Sequence, residues 1–368
     1  MIRNTTLSII CLLWCGLLLA QNPDEFNSDL SENPSEGPSA TGSFGEILSK
    51  LSSFVSFNGY VTNEFKAKET KNSTFDQHYF NIFVTAQLTD KVSAEAQLEY
   101  EHAGQVVELR YGFIDYKVHE AFVIRTGYFL TPAGIFNEYL YPEYLTKTVE
   151  RAFVNREISP SAWSEVGLQF RGRLTNLSQK VTPFYAVYVV NGLHGASGGG
   201  IRGFRANDRD DNNNKAVGGT VGFELNNELK FAFNYYTGKY DDADALGLDI
   251  FGASLYYDKN KFSFWAEYQA ANQDAWVDPA LMANTTTLNK NGFYVQAGYM
   301  VSKKFEPIIR YDQIALDGDQ LQDRDRLTLG LNYHIAKNAV AKANYDITNN
   351  DGEDVDDNQF SLQLSIGF

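Results

Sequence analysis

Apolar and polar residues alternate one for one along the C-terminal stretch of the chain. Phe360, Leu362, Leu364, Ile366 and Phe368 are apolar, whereas Gln359, Ser361, Gln363, Ser365 and Gly367 are small or polar. A strict period of two marks a β-strand with one face against something apolar and the other against water. The same rhythm recurs from Phe54 onward and predicts about sixteen strands. They begin near Phe54, Phe75, Val92, Val106, Ala121, Trp163, Lys180, Ala216, Lys230, Leu248, Lys261, Gly292, Phe305, Asp325, Ala339 and Asn358. Most run about 8–12 residues, the length a tilted strand needs to cross an outer membrane.

The connections between these strands alternate in length. Short ones fall at 89–91, 118–120, 175–179, 226–228, 258–260, 302–304 and 334–338. Longer ones fall at 66–74, 130–162, 191–215, 237–247, 271–291, 314–324 and 348–357, and the link at 101–105 is the short exception among them. Outer-membrane barrels have short periplasmic turns and longer outer loops, and an even strand number puts both ends in the periplasm. A soluble sandwich has no reason to sort its loops by parity. The predicted fold is therefore all-β: a transmembrane antiparallel β-barrel of about 16 strands with a short flexible N-terminal segment.

Composition refines this picture at the N-terminus. Arg3 precedes an apolar run from Leu7 to Ala20 broken by Ser8 and Gly16, which reads as a signal peptide over residues 1–20. Leu12-Leu13-Trp14-Cys15 faintly resembles a lipoprotein box, but Trp14 is too large for the position before an acylated Cys. Residues 21–52 are rich in Asn, Pro, Ser, Glu and Gly and form an expected flexible periplasmic segment, ending in a short amphipathic piece at 47–51 that would plug or tether. The barrel is expected over 53–368. Both cysteines, Cys11 and Cys15, lie in the leader, so packing and backbone pairing must hold the exported chain together without disulfides. The 26 Phe and 22 Tyr suit a barrel with aromatic girdles at its two interfaces. The net charge of −15 excludes nucleic acid as a partner. The acids crowd into 208–211, 241–244, 317–325 and 351–357, between the apolar runs.

The stretch from Val106 to Arg173 resembles the phosphate-selective porins O and P of Gram-negative outer membranes. The resemblance rests on Leu109-Arg110-Tyr111-Gly112-Phe113-Ile114-Asp115-Tyr116, on Arg125-Thr126-Gly127-Tyr128-Phe129, and on Pro132 with Gly134-Ile135-Phe136. Arg151, Arg156-Glu157-Ile158, Pro160 and Trp163-Ser164-Glu165-Val166-Gly167 close it, and a terminal Phe368 resembles the sorting signal of such barrels. The resemblance implies a porin in the outer membrane, in contact with its lipid and lipopolysaccharide. It further implies a homotrimer passing small hydrophilic solutes by diffusion, with anions such as phosphate among them. No cofactor or metal is implied.

Alternation assigns faces. Val107, Leu109, Tyr111 and Phe113 are expected toward lipid, with Glu108, Arg110 and Gly112 inward. By the same rule Arg125, Arg171, Arg173, Arg310, Arg326 and Lys342 point inward, together with Glu95, Glu99, Glu165, Glu267 and Asp312. Two readings stand: an arginine-lined anion path through Arg110, Arg125, Arg171, Arg173, Arg310 and Arg326, or a wall of ion pairs that stiffens the lumen. The longest loop, 130–162, is too apolar for disorder. It is expected to fold inward as a constriction carrying Lys147, Arg151 and Arg156, with Lys147 and Arg151 on a helical turn; a lid on the outer rim is the alternative. The run Asp208-Arg209-Asp210-Asp211-Asn212-Asn213-Asn214 departs from a calcium loop at Asn213 and Gly219 and reads as a solvated outer loop, while Gly198-Gly199-Gly200 is no phosphate cradle.

His78, His102, His119, His194 and His334 are scattered, none beside a Ser or a paired Asp, so the chain carries no signature of the enzymes that share barrel folds. A receptor, adhesin or structural barrel without a conducting pore is the alternative function.

Overall fold

The computed structural model describes residues 54–69, 71–175, 177–178, 180–205, 212–318, 323–350 and 357–368. The expected leader and N-terminal segment over 1–52 lie outside these residues, as do Asp208–Asp211. The strands are β1 (Val55–Lys68), β2 (Thr74–Gln87), β3 (Val92–Glu101), β4 (Val106–His119), β5 (Phe122–Leu130), β6 (Ser164–Arg173), β7 (Val181–Val190) and β8 (Ala216–Leu225). They continue as β9 (Leu229–Lys239), β10 (Gly247–Lys259), β11 (Phe262–Asp278), β12 (Ala283–Tyr299), β13 (Phe305–Leu316), β14 (Arg324–Ala336), β15 (Ala339–Asn350) and β16 (Gln359–Gly367). Each pairs antiparallel with its neighbour in sequence, and β1 pairs with β16 to close the barrel. At that seam Gly59 and Phe368 exchange two backbone hydrogen bonds, each 2.9 Å.

The burial of β16 is inverted relative to a soluble protein. Ser361, Gln363 and Ser365 are buried, while Phe360, Leu362, Leu364 and Ile366 are exposed on the outer wall. Such a strand is stable only where the outside is hydrocarbon and the inside supplies polar partners, since closure leaves no sheet edge unpaired.

Two expectations about the strands are corrected. The link at 271–291 is not a long loop. β11 and β12 run on as a ladder through Gln273↔Leu288, Asp274↔Thr287 and Trp276↔Thr285, leaving only 279–282 as the turn. One face of this hairpin, with Ala271, Gln273, Ala275 and Lys290, is buried, Gln273 and Lys290 donating to Gly199 O, while the other carries the polar Asn272 and Asp274; no apolar–polar alternation marks the strand although its backbone pairing continues. In β4 the expected facing of Tyr111 and Phe113 toward lipid is also wrong. The β3–β4 register slips between Gln97↔Tyr111 and Leu98↔Leu109, which makes Arg110 the extra residue of a β-bulge. Val107 and Leu109 face out before the bulge, and Ile114 and Tyr116 face out after it. Tyr111 is buried, its hydroxyl donating to Glu95 Oε1 at 2.8 Å. A bulge shifts the phase of every later side chain by one position.

Two long-side loops pack into the lumen: L3 (131–163) and L4, described over 191–205 and 212–215. L3 buries Phe153, Val154 and Ile158, and L4 buries Leu193, Ile201 and Phe204. Together with Tyr236, Tyr240, Leu248, Ile250 and Ile314 of the wall, Phe153, Ile158 and the three L4 residues form one apolar cluster. Each fully buried aliphatic or aromatic side chain contributes about 1.5–3 kcal/mol by leaving water, enough to hold the loops inward.

Candidate solute pathway

L3 starts from a local closure. Asn137 donates to the carbonyls of Thr131 (2.8 Å) and Trp163 (2.9 Å) and accepts from the Trp163 N–H (2.8 Å), which ties the two ends of the loop together. Wall side chains then satisfy the backbone that a buried loop would otherwise leave orphaned. Glu267 accepts from Phe136 N (3.0 Å) and Asp312 from Phe153 N (3.0 Å). Arg310 donates to Glu150 O (2.7 Å), Arg326 to Arg151 O (2.6 Å), Lys342 to Glu143 O (2.5 Å) and Asn332 to Lys147 O (2.9 Å). The helical turn expected around Lys147 and Arg151 is absent; this stretch is irregular, and the α-turn lies at Val154–Glu157.

The arginines read as one inward row therefore occupy different places. Arg310 and Arg326 are buried behind L3, both bound to Asp312, and so anchor the loop, with Arg326 also bordering a cavity of about 300 Å³ beside Lys66, Arg156 and Arg324. Arg125 forms a bidentate pair with Asp115 (2.7 and 2.8 Å) and lies 3.6 Å over the Phe113 ring. Arg171 pairs with Glu138 of L3 at 2.9 Å, and Arg173, near the short-turn end, pairs with Glu224. Arg110 binds Glu99 and Glu108, the latter at 2.9 Å. Of the loop residues, Lys147 turns to the wall and pairs with Glu306 at 2.5 Å, whereas Arg151 and Arg156 face an open chamber.

That chamber, of about 530 Å³, lies on the long-loop side of L3. Arg110, Arg151, Arg156, Arg202, Arg205 and Lys66 line it, with Glu99, Glu101, Glu108, Glu143 and Glu150 among the acids. Most of these acids are engaged: Glu99, Glu101 and Glu108 by Arg110, and Glu150 by Lys66 and Arg156. Arg151 instead donates to Ser161 O (2.5 Å) and the Tyr79 hydroxyl (3.1 Å), and Arg205 to the carbonyls of Arg202, Pro160 and Ser161. Among the described residues no carboxylate reaches ion-pairing distance of Arg151, Arg202 or Arg205. Burial and the neighbouring guanidinium groups of Arg110, Arg202 and Arg151 push Arg205 below the ordinary arginine range. Arg202 is lowered the same way, by burial and Arg156. A second chamber, about 410 Å³, lies on the short-turn side and includes Tyr111, Arg125, Tyr139, Tyr144 and Arg171. Tyr141 of L3 borders this second chamber and bonds to Gln97 of the wall.

A family model described as Gram-negative porin matches residues 156–365. The chain belongs to the Gram-negative porin family. A curated relative from Aquifex aeolicus (strain VF5), described as an uncharacterized protein, is 24% identical over 266 residues, covering 64% of this chain and 58% of the relative. The chain thus spans under two thirds of that relative's length. Among solved structures it is similar to an anion-selective porin from Comamonas acidovorans (13% identity, TM-score 0.61, 85% of this chain and 99% of that one). It is likewise similar to OmpT of Vibrio cholerae in a trimer form (13%, TM-score 0.58, 85% and 99%). The outer membrane channel DcaP of Acinetobacter baumannii matches as well (10%, TM-score 0.60, 85% and 97%). At these identities the likeness is one of fold. This porin is an outer-membrane barrel.

Sequence reasoning missed Arg202 and Arg205, which L4 brings into the chamber. A signal was present: in Ile201-Arg202-Gly203-Phe204-Arg205 the apolar and basic residues recur with a spacing of three. Ile201 and Phe204 turn into the core, with Phe204 stacked on Tyr240 at 5.0 Å, and this holds the two arginines at the chamber. The histidines are not all scattered either. His78 and His102 converge on Asp76, a contact that cross-strand pairing creates and linear spacing hides.

Proposed function

We propose that this porin is an aqueous channel for passive diffusion of small hydrophilic solutes and that it favours anions, phosphate and small carboxylates among them. The observation that carries this reading is the cluster of Arg151, Arg202 and Arg205 beside L3, held close to one another with no described carboxylate in pairing range. Guanidinium groups crowded in this way are relieved by an entering oxyanion, and their forks match phosphate and carboxylate geometry. Selectivity in a narrow pore follows the nearest charges, because salt screens more distant ones beyond about 8 Å. The paired arginines Arg110, Arg125, Arg171 and Arg173 contribute less than their number implies, and Arg310 and Arg326 act through the position of L3. Lys147 and Arg156 flank the constriction.

The same reading includes export by a leader over 1–20, a tethering segment over 21–52, contact with outer-membrane lipid and lipopolysaccharide, and assembly as a homotrimer. A trimer form of the similarly folded OmpT supports the last of these. The experiment is a reversal potential in a planar bilayer under a salt gradient. Anion preference or near-neutral selectivity is expected despite the net charge of −15; strong cation selectivity would overturn the reading. The packing of L3 and L4 into the lumen favours a second reading, a receptor or structural barrel without a conducting pore. An absence of single-channel steps would establish it.

A further inference from the structure

We infer that Asp76, His78 and His102 form a binding site for a divalent transition-metal ion of the Zn²⁺ class at the long-loop mouth of the arginine chamber. Asp76 and His78 stand two apart on β2, so they share its inward face. The pairing Tyr79↔Glu101 brings residue 102 opposite His78 just where β3 ends. There the chain turns through left-handed conformations, His102 at φ 51° and Ala103 at φ 55°, a combination rare outside glycine. This turn sets the His102 ring 5.4 Å from that of His78.

Both Nδ1 atoms converge on one carboxylate oxygen, Asp76 Oδ2, at 3.0 Å from His78 and 2.7 Å from His102. All three ligand atoms lie within 4.8 Å of one another. Around a tetrahedral ion with bonds of about 2.0–2.2 Å, ligand atoms stand about 3.3 Å apart, so the two carboxylate–imidazole distances need to open by roughly half an ångström. One ion would then replace the two imidazole protons now shared with the carboxylate. Two imidazoles and one carboxylate suit Zn²⁺, Ni²⁺ or Cu²⁺, whereas Ca²⁺ and Mg²⁺ require all-oxygen shells.

The surroundings supply the next layer. Metal ligation at His78 Nδ1 leaves the remaining ring proton on Nε2, and Glu143 Oε1 of L3 stands 3.4 Å from that nitrogen. An oxygen acceptor on the far nitrogen of a ligating histidine, a role the unprotonated oxygen of the Glu143 carboxyl can fill, fixes its tautomer and ring orientation. His78 and His102 both line the chamber, so a coordination position left open by three protein ligands is reached from the solute side. The site does not depend on the anion preference proposed above.

The test is calorimetric titration of the full chain in detergent, without an affinity tag, using Zn²⁺ alone as the probe at neutral pH. Saturable binding is expected, weakened by more than about tenfold in His102→Ala and in Asp76→Asn, and unchanged in His194→Ala. His102 is exposed on its turn, so His102→Ala should leave the barrel closed, with heat-dependent gel mobility as the check. It decides the matter if Asp76→Asn does not fold. An absence of saturable binding, or equal affinity in His102→Ala, would overturn the site and leave only a hydrogen-bonded cluster.

Discussion

Arg125 and Arg151 carry the same guanidinium group in different surroundings. Arg125 is held by both oxygens of Asp115 and by the face of Phe113, so its charge is locally cancelled. Arg151 rests on a carbonyl and a hydroxyl, with Glu143 and Glu99 acting on it only from beyond pairing distance, so its charge is less locally cancelled than that of Arg125. Replacing Arg151 and Arg205 together with Ala should therefore move the reversal potential toward cations by more than replacing Arg125 and Arg171 does. Equal shifts would show that pairing is irrelevant to permeation. Glu143 and Glu150 form a similar contrast. Burial and the opposing Glu64 push the Glu143 carboxyl well above the usual range. Burial would do the same at Glu150, but Lys66 and Arg326 outweigh it and hold that carboxyl below the range.

The sign for Glu143 follows from the native chain holding a proton that the unfolded chain releases. Its stabilisation is complete below the ordinary carboxylate value of about 4.3 and is lost as pH rises through the raised value. Glu143→Gln keeps the neutral form at every pH. Urea midpoints of this variant, read from heat-dependent gel mobility, should vary less between mildly acidic and neutral pH than those of the parent chain. An unchanged slope would assign the effect elsewhere.

At the scale of elements, the proposed conduction path turns on L3. Removing 139–150 takes away the backbone that Lys342, Asn332 and Arg310 hold, and with it the boundary between the two chambers. Single-channel conductance should rise, with retained heat-dependent mobility showing that the barrel still closes; unchanged conductance would place this segment off the path. The inward placement of L3 was legible because Ile135, Phe136, Val149, Phe153, Val154 and Ile158 are too apolar for a solvated loop. Its wall partners were not, since alternation says that Arg310 points inward but not that a loop stands in front of it. The extended β11–β12 hairpin was hidden for a different reason: its buried face is built of small and polar residues, Ala271, Gln273, Ala275 and Lys290, which removes the pattern while the ladder remains.

Closure is a property of the whole molecule, and it depends on a tight fit at the seam. A Cβ on Gly59 would meet the Asn81 carbonyl and come within 2.7 Å of the Phe368 ring. The strand backbone cannot give way there, and the Phe368 ring, stacked on Phe80, would have to shift. Gly59→Val should cost about 1–3 kcal/mol by overpacking and lower the temperature at which the folded band is lost on gels. An unchanged transition would mean that the seam tolerates slack.

The strand number, the antiparallel order and the sorting of short and long connections, apart from the 271–291 link, follow from the amino-acid pattern alone. A lipid-facing and a lumen-facing side chain differ at every successive position, so the pattern is local and survives without tertiary information. Tertiary structure decided everything that depends on what stands opposite. The bulge at Arg110 reverses the facing of Tyr111 and Phe113 through a register set by β3. Arg202 and Arg205 join Arg151 only because L4 packs inward, and His102 reaches Asp76 only across a strand pair. Pairing, burial and free charge are relations between distant positions, and long-range register and packing alone bring those positions together.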